Sequence, residues 1–143
     1  MTLEWKYSAD EVDWEELSAL YRAAPLGEKP PAHLKKVFAN SMFHCFVYDD
    51  MRIVAVGRAL ADGGECSYLC DIAVLPSYQN TGLGKQVVSY LVEQSRGHKK
   101  IILYAVPGRE PFYRKFGFLR MLTAMAIFEN PQLQAQRGYI SEV

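Results

Sequence analysis

The sequence predicts a mixed α+β fold, a mostly antiparallel sheet covered by helices. Three observations carry that prediction. Two amphipathic stretches open the chain, and three strand-like runs follow in a row. After them, apolar residues at Leu83, Val87, Val88, Leu91 and Val92 fall at helical spacing between two further strand-like segments.

The elements follow in order. Ser8-Ala9-Asp10-Glu11 has the form of a capping box, and Trp14, Leu17, Leu20 and Tyr21 recur at helical spacing. A helix is predicted from about Ala9 to Ala23, ended by Pro25 and Gly27. Pro30-Pro31 open a second helix with Leu34, Val37 and Phe38 on its apolar face. Strands are predicted over 43–48, 51–61 and 65–75, joined by turns at Asp49-Asp50 and Asp62-Gly63-Gly64. A helix over 82–95 ends at Gly97, and a strand over 100–106 carries the buried-type run Ile101-Ile102-Leu103-Tyr104. A short helix over 109–116 ends at Gly117, and 118–128 supplies one or two closing strands. The order is α-α-β-β-β-α-β-α-β, with strand 65–75, helix 82–95 and strand 100–106 as a β-α-β unit.

At 143 residues the chain is expected to form a single domain, 1–143, with 130–143 as a weakly patterned tail. Hydrophobic residues at 50% and charged residues at 22% are globular values, which excludes a disordered chain. No run of about 18 apolar residues is present, so no membrane association is expected. The first thirteen residues are acidic and lack the apolar centre of a secretory signal. Three cysteines, an odd number, fit a reducing cytoplasm.

The net charge of zero argues against general nucleic-acid binding. The halves differ, however: residues 1–71 hold 7 basic and 12 acidic side chains, and residues 72–143 hold 9 and 4. That pattern suits an anionic ligand on the C-terminal half and a cationic one near the N-terminal half, and equally suits solvated faces.

The chemistry concentrates in Val74-Leu75-Pro76-Ser77-Tyr78-Gln79-Asn80-Thr81-Gly82-Leu83-Gly84-Lys85. A strand ends, a polar loop follows, and a helix begins at a pair of glycines. Helix starts expose unpaired N–H groups and partial positive charge, and glycines let an anion approach the backbone. The Walker pattern fails, because Gln79 stands at its first glycine and Gln86 at its Ser/Thr. The dinucleotide pattern fails at Val87. The glycines alone leave two readings open, a phosphate loop or a tight turn.

Gln79-Asn80-Thr81-Gly82-Leu83-Gly84 resembles the Gln/Arg-x-x-Gly-x-Gly/Ala pyrophosphate loop of the GNAT superfamily of N-acetyltransferases. Asp71-Ile72-Ala73-Val74-x-Pro76-x-Tyr78-Gln79 resembles the strand before that loop, and Phe112-Tyr113-x-x-Phe116-Gly117-Phe118 resembles the family's later Phe-Tyr…Gly-Phe element. The similarity covers roughly 51–128. Over 57–118 it extends to bacterial GNAT proteins and plant chloroplast serotonin N-acetyltransferases. The plant proteins carry an Asp shortly before their Phe-Tyr pair, where Val106 and Pro111 stand here.

The resemblance implies a GNAT fold with a central acyl-CoA-binding β-α-β unit and helices on both faces of the sheet. It implies acetyl-CoA as co-substrate, an amine as acceptor and direct attack in a ternary complex. Gly82, Leu83, Gly84 and Lys85, with Gln79, Asn80 and Thr81, would form the pyrophosphate loop. Ile72, Ala73 and Val74 would carry the pantetheine arm, and Phe112 would line the cofactor. Tyr113 would protonate the leaving thiolate as a phenol with pKa near ~10. Asp71 is the candidate general base, or equally a structural carboxylate; Glu65, Glu110 and His44 are weaker alternatives. Arg109, Arg114 and Lys115 are read as a solvated helix face with the CoA 3′-phosphate as the other reading. A homodimer is compatible with the resemblance.

The acceptor stays open between a small amine, favoured by compact size and the acidic N-terminal half, and a protein Lys or N-terminal amine. A non-catalytic CoA-binding or sensor module is the alternative from another class. No metal is expected: Cys66 and Cys70 are spaced C-x₃-C, and His33, His44 and His98 form no ligand motif. Cys70 reads as a buried thiol rather than an acyl-carrying nucleophile. Trp5, Trp14, Tyr7 and Tyr21 either line an aromatic acceptor pocket or pack the first helix.

Overall fold

The computed structural model describes residues 2–141. The chain divides into two units, one ending at Leu103 and one beginning at Tyr104.

The first unit holds a five-stranded sheet in the order β1-β2-β3-β4-β5. Its strands are β1 (Leu3–Lys6), β2 (Phe43–Asp49), β3 (Arg52–Ala61), β4 (Cys66–Val74) and β5 (Lys100–Ile102). The first three pairings are antiparallel, and β4 pairs with β5 in parallel. That parallel pair is joined by α3 (Leu83–Gln94), the expected β-α-β unit. The β2–β3 hairpin turns through Asp50 and Met51, with φ of 50° and 70°. Two central residues at positive φ match the right-handed twist of the paired strands.

Helices α1 (Trp14–Ala23) and α2 (Pro31–Ala39) cover one face of the sheet. Their buried Leu17, Leu20, Tyr21, Leu34 and Phe38 pack with Phe46, Ile53, Val56 and Ala73. Strand alternation turns Gly57 to the other face, where a Cβ would meet Val87 and Leu91 of α3. α3 buries Leu83, Val87, Val88 and Leu91, four of the five residues whose spacing predicted it.

Several boundaries differ from expectation. α1 starts at Trp14 because Asp13, not Ser8, is its cap: Asp13 Oδ1 accepts from Glu15 N at 3.1 Å and Glu16 N at 3.2 Å. β1 was not expected; four residues carry little pattern of their own, and pairing with Lys6↔Phe46 through Leu3↔Asp49 makes them a strand. β5 ends at Ile102 rather than 106, its ladder running only opposite Cys66–Tyr68.

The second unit contains α4 (Glu110–Arg114) and α5 (Pro131–Gln136). The closing strands expected over 118–128 are absent from the described residues. A strand needs a paired neighbour, and no segment of this unit is extended into a ladder that could supply one. α5 falls within the expected tail, started by Pro131 in its first turn and by Asn130, whose side chain accepts from Leu133 N at 3.1 Å.

Candidate functional site

β4 leads into a 3₁₀ turn at Pro76–Tyr78, and Asn80 and Gly82 take φ of 64° and 86° before α3 begins. Gly82 is the N-cap residue and supplies no side-chain hydrogen bond to the helix. The first i−4 bond of the helix is Gln86 N–H to the Gly82 carbonyl, at 3.1 Å. The amides of Leu83, Gly84 and Lys85 in front of it are therefore free of intrahelical partners. A Cβ built on Gly82 would meet nothing within 4 Å, so the approach to this backbone is open. A Cβ on Gly84 would lie 3.5 Å from Val74 Cγ2, an ordinary contact, so packing tolerates Gly or Ala there.

Side chains brace the loop from behind. Gln79 Nε2 donates to the Val74 carbonyl at 3.0 Å and to the Ala24 carbonyl at 3.1 Å. The Gln79 backbone N–H is taken by the Pro76 carbonyl at 3.2 Å. Thr81 Oγ1 donates to the Tyr78 carbonyl, and Tyr78 Oη donates to Asp49. Gln79 and Thr81 thus shape the loop, while its unpaired donors lie further along, at the helix start.

β4 is the second half of the site. It pairs with β5 only through Cys66, Ser67 and Tyr68. Leu75 N–H reaches the Val54 carbonyl on the β3 side at 2.9 Å, so alternation turns the N–H groups of Ile72 and Val74 to the side away from β3. Opposite Gly57, two β4 residues, Asp71 and Ile72, fill the space of one, and Asp71 has φ of 54°. Tyr21 Oη donates to the Asp71 carbonyl at 2.6 Å and anchors this bulge.

The Asp71 carboxylate is held by two cations. Arg58 Nε lies 2.8 Å from Oδ2 and Lys29 Nζ 3.5 Å from Oδ1; the Arg58 side chain is 12% exposed and that of Asp71 22%. Arg58 Nη1 also donates to Ser41 Oγ at 3.2 Å, and its guanidinium lies 5.9 Å from the Phe38 ring centroid. Burial, and then the Asp71 charge, push the Tyr21 phenol well above its ordinary value. Burial also pushes Cys70 up to about 11 despite nearby Arg58, and Cys45 up to about 12. Both are neutral thiols at physiological pH; Cys45 is buried, whereas Cys70, expected to be buried, is half-buried. His44, between the Phe38 and Phe46 rings, has its pKa lowered by burial. Glu65 pairs with Lys100 at 3.5 Å, and Glu110 accepts from Gly108 N at 2.7 Å.

In the second unit, Tyr113 is half-buried on α4, edge-on to Phe112 at 5.0 Å and to Phe118 at 6.1 Å. Burial raises its phenol pKa, with Arg109 pulling the other way. Arg109 stacks on Phe112 at 5.1 Å, and Arg114 and Lys115 are exposed.

The four aromatics near the N-terminus do not share a pocket. Trp14 packs on Phe38, and Tyr21 is core, on the α1–α2 face. Trp5 and Tyr7 meet Tyr90 of α3 and line a shallow groove of about 400 Å³ with Lys85, Gln86 and Ser89. Among the described residues no group of three or more His, Cys, Asp or Glu side chains converges on a metal-sized site. Sequence reasoning missed Lys29, Arg58 and Tyr21 as neighbours of Asp71. The one available signal was Arg58, a lone charge inside the apolar run 53–60.

A family model described as acetyltransferase (GNAT) family matches residues 8–118. An uncharacterized ycf52-like N-acetyltransferase of Prochlorococcus marinus is 28% identical over 113 residues, 75% of this chain and 63% of that protein. The chloroplastic serotonin N-acetyltransferase 2 of Oryza sativa is 44% identical over 86 residues, 57% of this chain and 43% of that protein. The chain therefore spans about half the length of these curated relatives. A solved structure of a Staphylococcus aureus protein of unknown function has a TM-score of 0.80 at 25% identity, covering 90% of this chain and 99% of that one.

Proposed function

Because the chain belongs to the GNAT family of acetyltransferases, we propose that it transfers the acetyl group of acetyl-CoA to a primary amine, and that the amine is a small molecule. The observation that carries this reading is the uncapped start of α3 beyond Gly82, in the same unit as the unpaired edge of β4. The donors fit the ligand: N–H groups of Gly82, Leu83, Gly84 and Lys85 suit a pyrophosphate. Gln79, Asn80 and Thr81 give the loop its shape. Ile72 and Val74 would hold the pantetheine amides as an added strand would be held, with Ala73 between them turned into the core. An N–H on this edge would polarise the thioester carbonyl.

An alkylammonium with a pKa near ~10 must lose a proton before it attacks. Asp71 would accept it, directly or through water, its carboxylate held in place by Arg58. Tyr113 would give the leaving thiolate its proton, and Phe112 would offer an apolar face to the cofactor. A half-buried phenol with a raised pKa keeps that proton at neutral pH. The neutral thiol of Cys70 favours direct attack over an acyl-cysteine. Support for a small amine comes from the acidic N-terminal half and from the serotonin N-acetyltransferase among the relatives. No described helix is long and apolar enough to cross a membrane, and the three cysteines are free, so the reading includes the cytoplasm as location.

The test is a CoA-release assay with acetyl-CoA against small amines and Lys peptides, beside calorimetry with acetyl-CoA alone. Turnover on a small amine is expected. Turnover only on Lys peptides would move the acceptor to protein. Binding without turnover on any amine would favour a CoA-binding module, and absence of binding would end the reading.

A further inference from the structure

Lys29 lies in the loop between α1 and α2, and it is held at both ends. Ser18 Oγ, buried on α1, donates to the Lys29 carbonyl at 2.6 Å. The ammonium lies 3.5 Å from Asp71 Oδ1 and 5.6 Å from the centroid of the Tyr21 ring, and the side chain is 24% exposed. A carboxylate on one side and an aromatic face on the other make a seat for an alkylammonium. The seat is tied to the bulge of β4, since Tyr21 also bonds the Asp71 carbonyl and Asp71 directly precedes Ile72. Lys35 and Lys36, six and seven residues further along, are exposed on α2 with no such seat.

We propose that Lys29 is an acetyl acceptor of its own active site, acetylated in cis, and that the acetylation empties the Asp71–Tyr21 seat for a free amine. This rests on the acetyltransferase reading above. The step is balanced. The Lys29 ammonium gives a proton to Asp71 and on to water. Its nitrogen attacks the thioester carbonyl, the N–C bond forms and the C–S bond breaks. The nitrogen sheds its second proton to water on becoming an amide, and the thiolate takes up a proton from water to leave as CoA. Acetyl-lysine carries no charge, so it no longer competes for the carboxylate. Until then the enzyme's own side chain occupies the place an external ammonium would take.

The full-length protein is incubated with acetyl-CoA, and acetylation of each lysine is followed by mass spectrometry. Lys29 is expected to label at least tenfold faster than Lys35 or Lys36, at a first-order rate independent of protein concentration. Turnover of an external amine is expected to show a lag that preincubation with acetyl-CoA removes. Lys29→Gln, uncharged, is expected to turn over without lag, and Lys29→Arg, charged and unable to be acetylated, at least tenfold more slowly. Labelling of Lys29 no faster than Lys35 and Lys36, or at a rate that rises with protein concentration, overturns the proposal. Equal rates in the Gln and Arg variants do so too. If an external amine is turned over while Lys29 stays unlabelled, this inference falls and the transferase stands. If calorimetry finds no acetyl-CoA binding, both fall.

Discussion

Gly57 of β3 stands so close to Val87 of α3 that a Cβ on the glycine would lie 2.7 Å from the valine Cγ1. The same Cβ would meet Leu91 Cδ1 at 2.9 Å and Ile72 Cγ1 at 3.4 Å. The helix that follows the loop over 79–82 and the β4 residue beside Asp71 thus close on one missing methyl group. Gly57→Ala is expected to cost about 1–3 kcal/mol of stability, the usual range for overpacking a filled core. Pushing α3 and Ile72 outward is also expected to raise the KM for acetyl-CoA more than it lowers kcat. Urea unfolding and steady-state kinetics check the two effects; an unchanged midpoint would show that the helix moves aside freely.

Gly82 is a glycine for a different reason: there is room for a side chain, but its φ is 86°. Gly82→Ala is expected to lose about 1–2 kcal/mol through the left-handed backbone. It is also expected to weaken acetyl-CoA binding measurably by calorimetry, because the added methyl sits on the open side of the loop.

Asp71→Asn would leave Arg58 and Lys29 without their anion. The pair with Arg58 is largely but not fully buried, so the expected loss is about 2 kcal/mol, between the values for exposed and buried pairs. Chemical denaturation measures it, and a loss below a few tenths would mean that water screens Arg58 well.

Tyr113→Phe is expected to lower kcat at least tenfold, ~1.4 kcal/mol of barrier, with little change in stability. An acid acts only while it keeps its proton, and burial raises this phenol above its ordinary value. The wild-type kcat should therefore show no falling limb from this group until the pH exceeds about 10. Turnover unchanged by the substitution would remove Tyr113 from the mechanism.

Asp62 caps the β3–β4 turn, Oδ1 accepting from Gly64 N at 3.0 Å, Glu65 N at 2.7 Å and Cys66 N at 3.1 Å. These amides lower its pKa to about 2. Since the folded state prefers the charged form, the stabilisation is complete above the unfolded value of about 4 and is lost as the pH falls through about 2. The stability gap between wild type and Asp62→Ala is expected to narrow over that window; a gap constant with pH would show that the charge is not what the turn uses.

The legible parts of this chain were those with local causes. Leu83, Val87, Val88 and Leu91 repeat at a helical period, and they are the buried face of α3. Asn80 and Gly82 mark a turn in the sequence and take positive φ in the structure. Other features have no local cause. β1 is a strand because β2 lies beside it, and α1 begins at Trp14 because the carboxylate of Asp13, rather than Ser8, reaches the first-turn amides. The run 118–128 has strand-like composition but no ladder.

The candidate site divides along the same line. The amino-acid sequence by itself determined the loop over 79–82 and the helix start after it, because a helix start and its glycines act through backbone groups within one short segment. The surroundings of Asp71 were decided by tertiary structure alone. Lys29 comes from a loop 42 positions earlier, Arg58 from the neighbouring strand 13 positions earlier, and Tyr21 from a helix across the sheet face. A carboxylate's role depends on which charges fold against it, and Coulomb interactions follow distance in space, not separation along the chain.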